Sequence, residues 1–237
     1  MDTILKAAVT LKAAGLDEDE LALINTQTLR KLSADEVFVF RLAACNTVVD
    51  RDKERFTENA LEQMAKLYPG KPVLMDHKWS ANAQTARVYA AEVAPMGEGE
   101  KQLMLRCYMP RTEGTAEVIA SIESGVLREC SVGLCVSRVL CSICGMDQTE
   151  ALCTHRQGRV YNGVKCHMDL DEVYDVYEVS LCAVPAQPDA GVAKAKRYGG
   201  TEMTDIPGED DPEEDEVILA QARMTMEEKR FGGNCNV

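Results

Sequence analysis

Residues 126–136, VLRECSVGLCV, form a short apolar run in which one hydroxyl group, that of Ser131, follows a charged pair. The apolar spacing of residues 115–124 predicts a helix before this run, and Gly125 is a typical helix stop. We therefore expect a helix-to-strand transition that places Ser131 at the beginning of a strand. A hydroxyl in such a position either hydrogen-bonds to neighbouring backbone or acts as a nucleophile, and a nucleophile needs a base and an acid elsewhere in the chain.

The segments around this run predict many strands and few helices. Apolar and β-branched runs predict strands over residues 36–44, 71–77, 85–95, 102–109, 129–139 and 173–184. Helical spacing predicts helices over residues 2–14, 17–32, 56–68 and 115–124, the third of them capped by Thr57. Strands and helices do not alternate regularly. The order favours an α+β fold with a strand-dominated, barrel-like core flanked by helices.

Length and charge divide the chain into a main domain and two flanking segments. The 237 residues suit one domain with appendages. We expect a helical N-terminal extension over residues 1–35, a main domain over 36–196 and an acidic tail over 197–237. Residues 202–217 contain nine Asp or Glu and no Lys or Arg, which predicts a disordered tail.

The formal net charge of −13 and the apolar pattern exclude several classes of partner. Such an acidic balance argues against nucleic acid or an anionic membrane as the main partner. The sequence contains no run of eighteen apolar residues, so we expect no transmembrane helix. The first residues also lack the features of a secretory signal. We therefore interpret the ten cysteines in a reducing compartment, where clustered cysteines more often bind metal than form disulfides.

A cysteine-rich insertion over residues 140–167 predicts a metal site. Cys141 and Cys144 form a CxxC pair followed by glycine, and Cys153 is separated by one residue from His155. Two close pairs of such ligands match a closed, tetrahedral, structural zinc site. Cys166 and His167 are alternative fourth ligands, and a redox CxxC or simple packing of the cysteines remains the other interpretation. Nucleic-acid binding by the insertion is disfavoured because it contains few basic residues.

The base and the acid for Ser131 must come from a small set of residues. Two of the three histidines lie in the cysteine insertion, which leaves His77 as the candidate base. The acidic candidates follow in one segment: Asp171, Glu172, Asp175 and Glu178. Glu178 lies inside an apolar run, where a carboxylate is costly unless a partner holds it. A period of two predicts that Val176, Glu178 and Ser180 share one strand face and that Asp175 lies on the other.

A serine, a histidine and a carboxylate on separate strands suit acyl transfer, although any chain of this length contains these residue types. Cys130 is the rival nucleophile. Its neighbouring position predicts that it faces the opposite side of the strand from Ser131 and packs as an apolar residue.

Several stretches, in this order, resemble one known family. They are NTVVDRDKERFTENAL followed by GKPVLMDHKWSANAQTARVY, then SGVLRECSVGL, then YEVSLCAVPAQPDAGV, together with CSICG…CTH…GRVYNGVKC. The chain resembles, over residues 36–195, the prohead (capsid maturation) serine proteases of tailed bacteriophages, which are related to the herpesvirus assemblins. The resemblance implies an assemblin-like fold for the main domain. It places the family's histidine on His77, its serine on Ser131 and its more variable acid on Glu178.

The resemblance also implies a function and a location. We expect a serine endopeptidase that cleaves phage scaffold and major capsid proteins, and itself near a terminus, inside the prohead assembling in the host bacterial cytoplasm. A homodimer belongs to the same set of expectations. The alternative is a non-catalytic scaffold or assembly module that retains the protease fold. A zinc-dependent hydrolase is a weaker third interpretation, because a closed Cys3His site leaves the metal no catalytic vacancy.

Overall fold

A computed structural model describes residues 16–97, 99–183, 187 and 190–192 of the protein. The chain divides into two units, Met1–Lys196 and Arg197–Val237, and every described residue belongs to the first. The helix predicted over residues 2–14 and the acidic tail lie outside the described residues. The three-part division into extension, main domain and tail therefore stays a prediction.

The described residues form ten strands and three α-helices. The helices are α1, Glu18–Asn25; α2, Glu58–Leu67; and α3, Ala116–Glu123. The strands are β1, Val37–Asn46; β2, Glu54–Phe56; β3, Pro72–Met75; β4, Ala86–Gly97; β5, Glu100–Pro110; β6, Cys130–Cys141; β7, Val160–Tyr161; β8, Val164–Lys165; β9, Met168–Leu181; and β10, Gly191–Val192. This content confirms the predicted strand-dominated α+β class. No helix in the described part of the chain is long and apolar enough to span a membrane.

Eight of the strands form one large mixed sheet. Its order is β10-β1-β5-β4-β3-β9-β2, and β6 also pairs with β9. Strands β2 and β3 run parallel to β9, whereas the other pairs in the sheet are antiparallel. Strands β7 and β8 form a separate hairpin within the cysteine insertion.

The sheet does not close into a barrel among the described residues, which corrects the expected barrel-like core. Strand β10 reaches the chain just before β6 through one isolated bridge, Glu129 to Gly191. Because β10 has only two residues, it is too short to form a continuous ladder with β6. A side chain at Gly191 would also collide with the Arg128 carbonyl oxygen, so glycine is needed even for this short contact.

Helices α2 and α3 pack on the main core of the sheet. The Thr57 hydroxyl accepts a hydrogen bond from the Ala60 N–H group at 3.1 Å, which confirms the predicted cap of α2. The helix then buries Leu61 and Met64 against β-strand residues. Each such buried side chain contributes about 1.5–3 kcal/mol relative to an exposed one. Tyr68, at the end of α2, is fully buried and donates its hydroxyl to the Glu178 carbonyl oxygen, so this helix is tied directly to β9.

The N-terminal helix α1 packs in a second, smaller apolar cluster, where Ile24 is buried with Val37, Tyr89 and Tyr108. It ends earlier than the predicted helix over 17–32. The reason is local, because the Asn25 side chain both accepts from the Leu32 N–H group and donates to its carbonyl oxygen. These bonds stabilise a loop in place of further helical turns.

Candidate active site and metal-binding cluster

Ser131 lies near the start of β6 and pairs directly with Ser180 on β9. Its neighbour Cys130 pairs with Leu181, and both of those side chains are in the main core. Because side chains alternate along a strand and directly opposed residues share a face, Ser131 and Ser180 lie together on the face away from this core. Among the described residues, the Ser131 hydroxyl makes no hydrogen bond. The alternative to a nucleophile, a hydroxyl that hydrogen-bonds to neighbouring backbone, is therefore not observed among the described residues.

The Cys130 thiol is a poor candidate for the nucleophile. It is fully buried, and its Sγ lies 3.6 Å from the Ala43 carbonyl oxygen. Burial raises the pKa of this thiol well above its ordinary value, and the reactive thiolate is correspondingly disfavoured. The prediction that Cys130 faces the core is confirmed.

His77 lies in an unusual turn immediately after β3. The strand ends at Met75 rather than at His77, because Asp76 and His77 both have a φ angle of 52°. Residues other than glycine rarely adopt this left-handed region, and each costs of the order of 1–3 kcal/mol unless its surroundings hold it there. Two hydrogen bonds to β9 do so. The Asp76 N–H group donates to the Leu181 carbonyl oxygen at 3.0 Å, and the His77 N–H group donates to Ser180 Oγ at 2.9 Å.

Glu178 is the partner of the His77 ring. Its side chain is only 2% exposed, and its Oε1 lies 2.8 Å from His77 Nδ1. Its other oxygen, Oε2, accepts a hydrogen bond from the Ser180 hydroxyl. Because Ser180 also accepts from the His77 backbone, the three residues form a closed ring of hydrogen bonds. Both oxygens of the buried carboxylate are thus satisfied, which offsets the cost of its burial.

This contact changes the proton affinity of the imidazole. The hydrogen bond from the ring to Glu178 raises the pKa of His77, while partial burial acts in the opposite direction and the charges of Glu178 and Asp76 add to the increase. The carboxylate places the proton of the neutral ring on Nδ1 and leaves Nε2 as the basic nitrogen. The His77 side chain is 42% exposed, so a proton donor from solution or from a bound substrate can reach it.

Glycine at position 133 makes room for the Glu178 carboxylate. Gly133 lies directly opposite Glu178 in the ladder between β6 and β9. A Cβ atom at this position would overlap Glu178 Oε1, the atom that contacts His77. Neither Gly133 nor Ser180 has a predicted role in the site. The available signals were a glycine inside a strand, which often marks a close approach, and a serine two residues after Glu178 on the same strand face.

Two bulges in β9 change the predicted distribution of its side chains. Two successive residues of β6, Gly133 and Leu134, pair with Glu178 and Val176, so Tyr177 between them has no partner in the ladder. Tyr174 is an extra residue of β9 in the same way, between Asp175 and Val173. Val176 consequently lies in the main core with Val173 and does not share the face of Glu178. The prediction that Val176 and Glu178 face the same side is wrong, because a bulge interrupts the period of two. Asp175 is next to the core residue Val176 and therefore lies on the same face as Glu178, so the prediction that it faces the opposite side is also wrong.

The other acidic candidates have different partners. Asp171 accepts hydrogen bonds from the Thr57 hydroxyl and the Asn59 amide, whereas Glu172 pairs with Arg138. Asp175 lies 3.3 Å from Lys71 Nζ and is 43% exposed. In the described part of the chain, none of the three has a hydrogen bond or ion pair with His77.

The structure thus brings His77 and Glu178 together and places Ser131 on the sheet face to which Glu178 and Ser180 belong. It does not join Ser131 to His77 by a hydrogen bond within the described residues. Nucleophile-to-base hydrogen bonds are often long without a bound substrate and tighten when one binds. The buried acid and its histidine are therefore the best-formed part of the candidate active site.

The cysteine insertion brings four potential ligands together. The ligand atoms of Cys141, Cys144, Cys153 and His155, which we call the metal cluster, all lie within 4.8 Å of one another. In a tetrahedral site with metal–sulfur bonds of about 2.3 Å, ligand atoms lie about 3.8 Å apart, so small shifts would complete the coordination. The Nδ1 atom of His155 is buried and has no hydrogen-bond partner among the described residues. An orphaned imidazole nitrogen beside three thiols suits a metal ion, and this cluster can hold one.

The alternative ligands, Cys166 and His167, lie outside this group. Cys166 Sγ is 3.9 Å from Cys141 Sγ, but it does not join the four atoms that are mutually close. His167 Nε2 lies 3.3 Å from Asp169 Oδ1 without a hydrogen bond among the described residues, and it is not one of the four mutually close ligand atoms. The geometry therefore favours His155 as the fourth ligand.

No protein-family model, no curated protein and no solved structure matches this chain. The assignments made for the two sites consequently depend on the residues and contacts of this chain.

Proposed function

We propose that this protein is a serine endopeptidase in which Ser131 is the nucleophile, His77 the general base and Glu178 the acid that orients His77. The observation that carries the proposal is the hydrogen bond between the buried Glu178 carboxylate and His77, on the sheet face that contains Ser131. A buried carboxylate paired with an imidazole is often no more stabilising than apolar residues of similar size, so stability alone does not explain the pair. Strained backbone, as at His77, is typical of functional sites.

The chemistry follows from these positions. The Ser131 oxygen attacks the carbonyl carbon of a peptide bond while its proton passes to His77 Nε2. The proton then goes to the departing amine, which leaves an ester between Ser131 and the acyl half of the substrate. Water, deprotonated by His77, hydrolyses this ester and restores the hydroxyl group. Throughout, Glu178 holds the ring and stabilises its charged form.

The choice of substrates comes from the family resemblance. Phage scaffold and major capsid proteins, cleaved in the assembling prohead in the bacterial cytoplasm, are the substrates that an enzyme of this type would act on. Self-cleavage and a homodimer belong to the same proposal.

A fluorophosphonate probe tests the reaction without knowledge of the substrate. Such probes form a covalent bond to an activated serine and release fluoride. We expect the full-length protein to be labelled at Ser131, as located by mass spectrometry, and heat-denatured protein to remain unlabelled. A folded protein that is not labelled at any serine would favour the non-catalytic scaffold instead.

A structural zinc ion in the metal cluster is the second part of the proposal. Three thiolates and one imidazole would fill all four positions of a tetrahedral ion and leave none for water or substrate. The ion would stabilise an insertion that has only a small apolar cluster of its own, built around Cys141, Cys166 and Met168.

We therefore expect about one zinc ion per chain in purified protein, measured by elemental analysis. Cys144→Ser should release most of the metal and increase proteolysis within residues 140–167, because the ion replaces a core in that segment. Cys135→Ser is the matched control, since Cys135 lies on β6 outside the cluster, and it should retain the metal. Less than one-tenth of a zinc ion in folded wild-type protein would contradict the proposal.

A further inference from the structure

A pocket with aromatic walls lies beside the Glu178 carboxylate. Its cavity has a volume of about 410 Å³ and is lined by Leu74, Trp79, Tyr177 and Glu178, with Lys71 among the polar lining residues. The rings of Trp79 and Tyr177 are 5.2 Å apart and tilted by 56°. This size lies towards the lower end of the range for small-ligand pockets, about 300–1,000 Å³, and suits part of a peptide. We call it the aromatic pocket.

The same features that form the candidate active site position this pocket. Trp79 follows His77 by two residues in the turn after β3, and Tyr177 is the extra residue of the bulge beside Glu178. Leu74 pairs with Ser180 on one edge of β9, and Ser131 pairs with Ser180 on the other edge. Adjacent strands are about 4.8 Å apart, so the pocket floor at Leu74 lies about 10 Å from the Ser131 backbone. An extended peptide covers this distance in about three residues.

The lining determines the chemistry of the occupant. Trp79, the one tryptophan in the chain, is 71% exposed. Covering its large apolar ring with an apolar group would therefore contribute favourable binding free energy. Both oxygens of the Glu178 carboxylate already have partners, His77 and Ser180, and the side chain is buried, so it is poorly placed to bind a basic group. Lys71 would repel a cation, and Asp175 already neutralises part of its charge. An apolar or aromatic side chain therefore fits best.

We infer that the aromatic pocket is a specificity subsite that binds a large aliphatic or aromatic side chain of the polypeptide substrate, about three residues from the cleaved bond. Identification of the occupant as part of a substrate rests on the proposed endopeptidase function. The apolar preference itself rests on the pocket residues alone.

The single tryptophan allows a binding test that does not depend on catalysis. The full-length Ser131→Ala protein is titrated with blocked Gly/Ser hexapeptides that carry one guest residue: Phe, Leu, Ala, Lys or Glu. We expect saturable changes in Trp79 fluorescence with the Phe and Leu peptides, at affinities at least about tenfold higher than those of the other three. Equal affinity for all guests, a preference for Lys or Glu, or no change with any peptide would overturn the inference.

Two further variants locate the binding in the pocket. Tyr177→Ala, which removes one wall, should weaken binding of the Phe peptide by about tenfold or more. Ala81→Arg places a bulky side chain at an exposed position of the pocket lining and should have the same effect without disturbing the core. Tyr174→Ala is the matched control: this tyrosine is on the same strand, is 62% exposed and does not line the pocket. Unchanged binding in both pocket variants would also overturn the inference.

The peptide-binding test of the pocket and the fluorophosphonate test of the endopeptidase can succeed or fail independently. Apolar-selective binding in a protein that no fluorophosphonate labels would leave the pocket in place and refute the endopeptidase. Labelling at Ser131 without guest selectivity would support the endopeptidase and refute the subsite.

Discussion

Replacement of Ser131 by alanine is expected to lower the rate of peptide-bond cleavage by at least about 1,000-fold, because the variant lacks the atom that attacks the carbonyl carbon. Stability should change little, since the Ser131 hydroxyl makes no hydrogen bond among the described residues and its side chain is not in the core. Cleavage of purified scaffold or capsid protein can be followed by gel electrophoresis, and the fold by thermal unfolding.

Cys130→Ala is the matched control for this prediction. It removes the rival nucleophile at the adjacent position while leaving Ser131 intact. Because the Cys130 thiol is buried in the core, we expect cleavage to persist, with a small loss of thermal stability from the cavity. Wild-type activity in the Ser131→Ala variant would show that the nucleophile is wrongly assigned. An inactive but folded Cys130→Ala variant, labelled nowhere by the probe, would transfer that role to Cys130.

Replacement of Glu178 by glutamine is expected to lower kcat by about 100- to 10,000-fold. The amide cannot stabilise the protonated ring, and its NH2 group can favour the wrong tautomer of His77. His77→Ala should be at least as damaging, because it removes the base itself. The readout is the steady-state rate of a fluorogenic peptide that spans a mapped cleavage site.

The pH profile separates this role of Glu178 from a general loss of structure. Protonated His77 cannot accept the serine proton, so activity must rise with pH as His77 loses its proton. Since Glu178 raises the pKa of His77, the wild-type rise should be centred above the ordinary histidine value of about 6.5. In Glu178→Gln, the rise should move to lower pH, because the main cause of the increase is gone. An unchanged midpoint would contradict the proposed contact.

Asp175→Asn and Gly133→Ala complete the test of the acid. Asp175 is exposed and pairs with Lys71, so the first variant should retain nearly normal activity. Gly133→Ala changes none of the proposed catalytic residues but introduces a methyl group where the Glu178 carboxylate lies. The carboxylate must then move away from His77, so activity should fall strongly. An inactive Asp175→Asn together with an active Glu178→Gln would mean that Asp175 is the acid and that Glu178 is not.

Local chemistry in the sequence was sufficient to predict much of the secondary structure. Thr57 caps α2, as its position before a helical apolar pattern indicates, and Gly125 follows α3 after the one-residue Ser124 cap. The metal cluster was predictable for a similar reason. A CxxC pair followed by a CxH pair has little freedom in its geometry, so spacing along the chain nearly determines which ligand atoms can meet.

The candidate catalytic residues were predictable as residue types but not as a geometry. An isolated hydroxyl in a strand, one histidine outside the cysteine insertion and one carboxylate in an apolar run could be recognised from the sequence alone. Their spatial relation could not, because it depends on pairings between distant segments, about 50 residues apart for β6 with β9 and about 106 residues apart for β3 with β9. The energy of such pairings comes from contacts across the sheet that no local pattern contains.

What the sequence determined by itself is therefore most of the longer elements, the four residues of the metal cluster and the chemical groups available for catalysis. The tertiary structure decided their register. Two bulges in β9 turned Val176 into the core and left Glu178 facing His77, and the parallel pairing of β3 with β9 brought Ser180 under the strained turn. Among the described residues it also leaves the sheet open, because the two residues of β10 do not form a continuous ladder with β6. The physical reason is the same in each case: bulges and strand order depend on how distant segments pack, whereas caps, stops and metal ligands depend on neighbours in the chain.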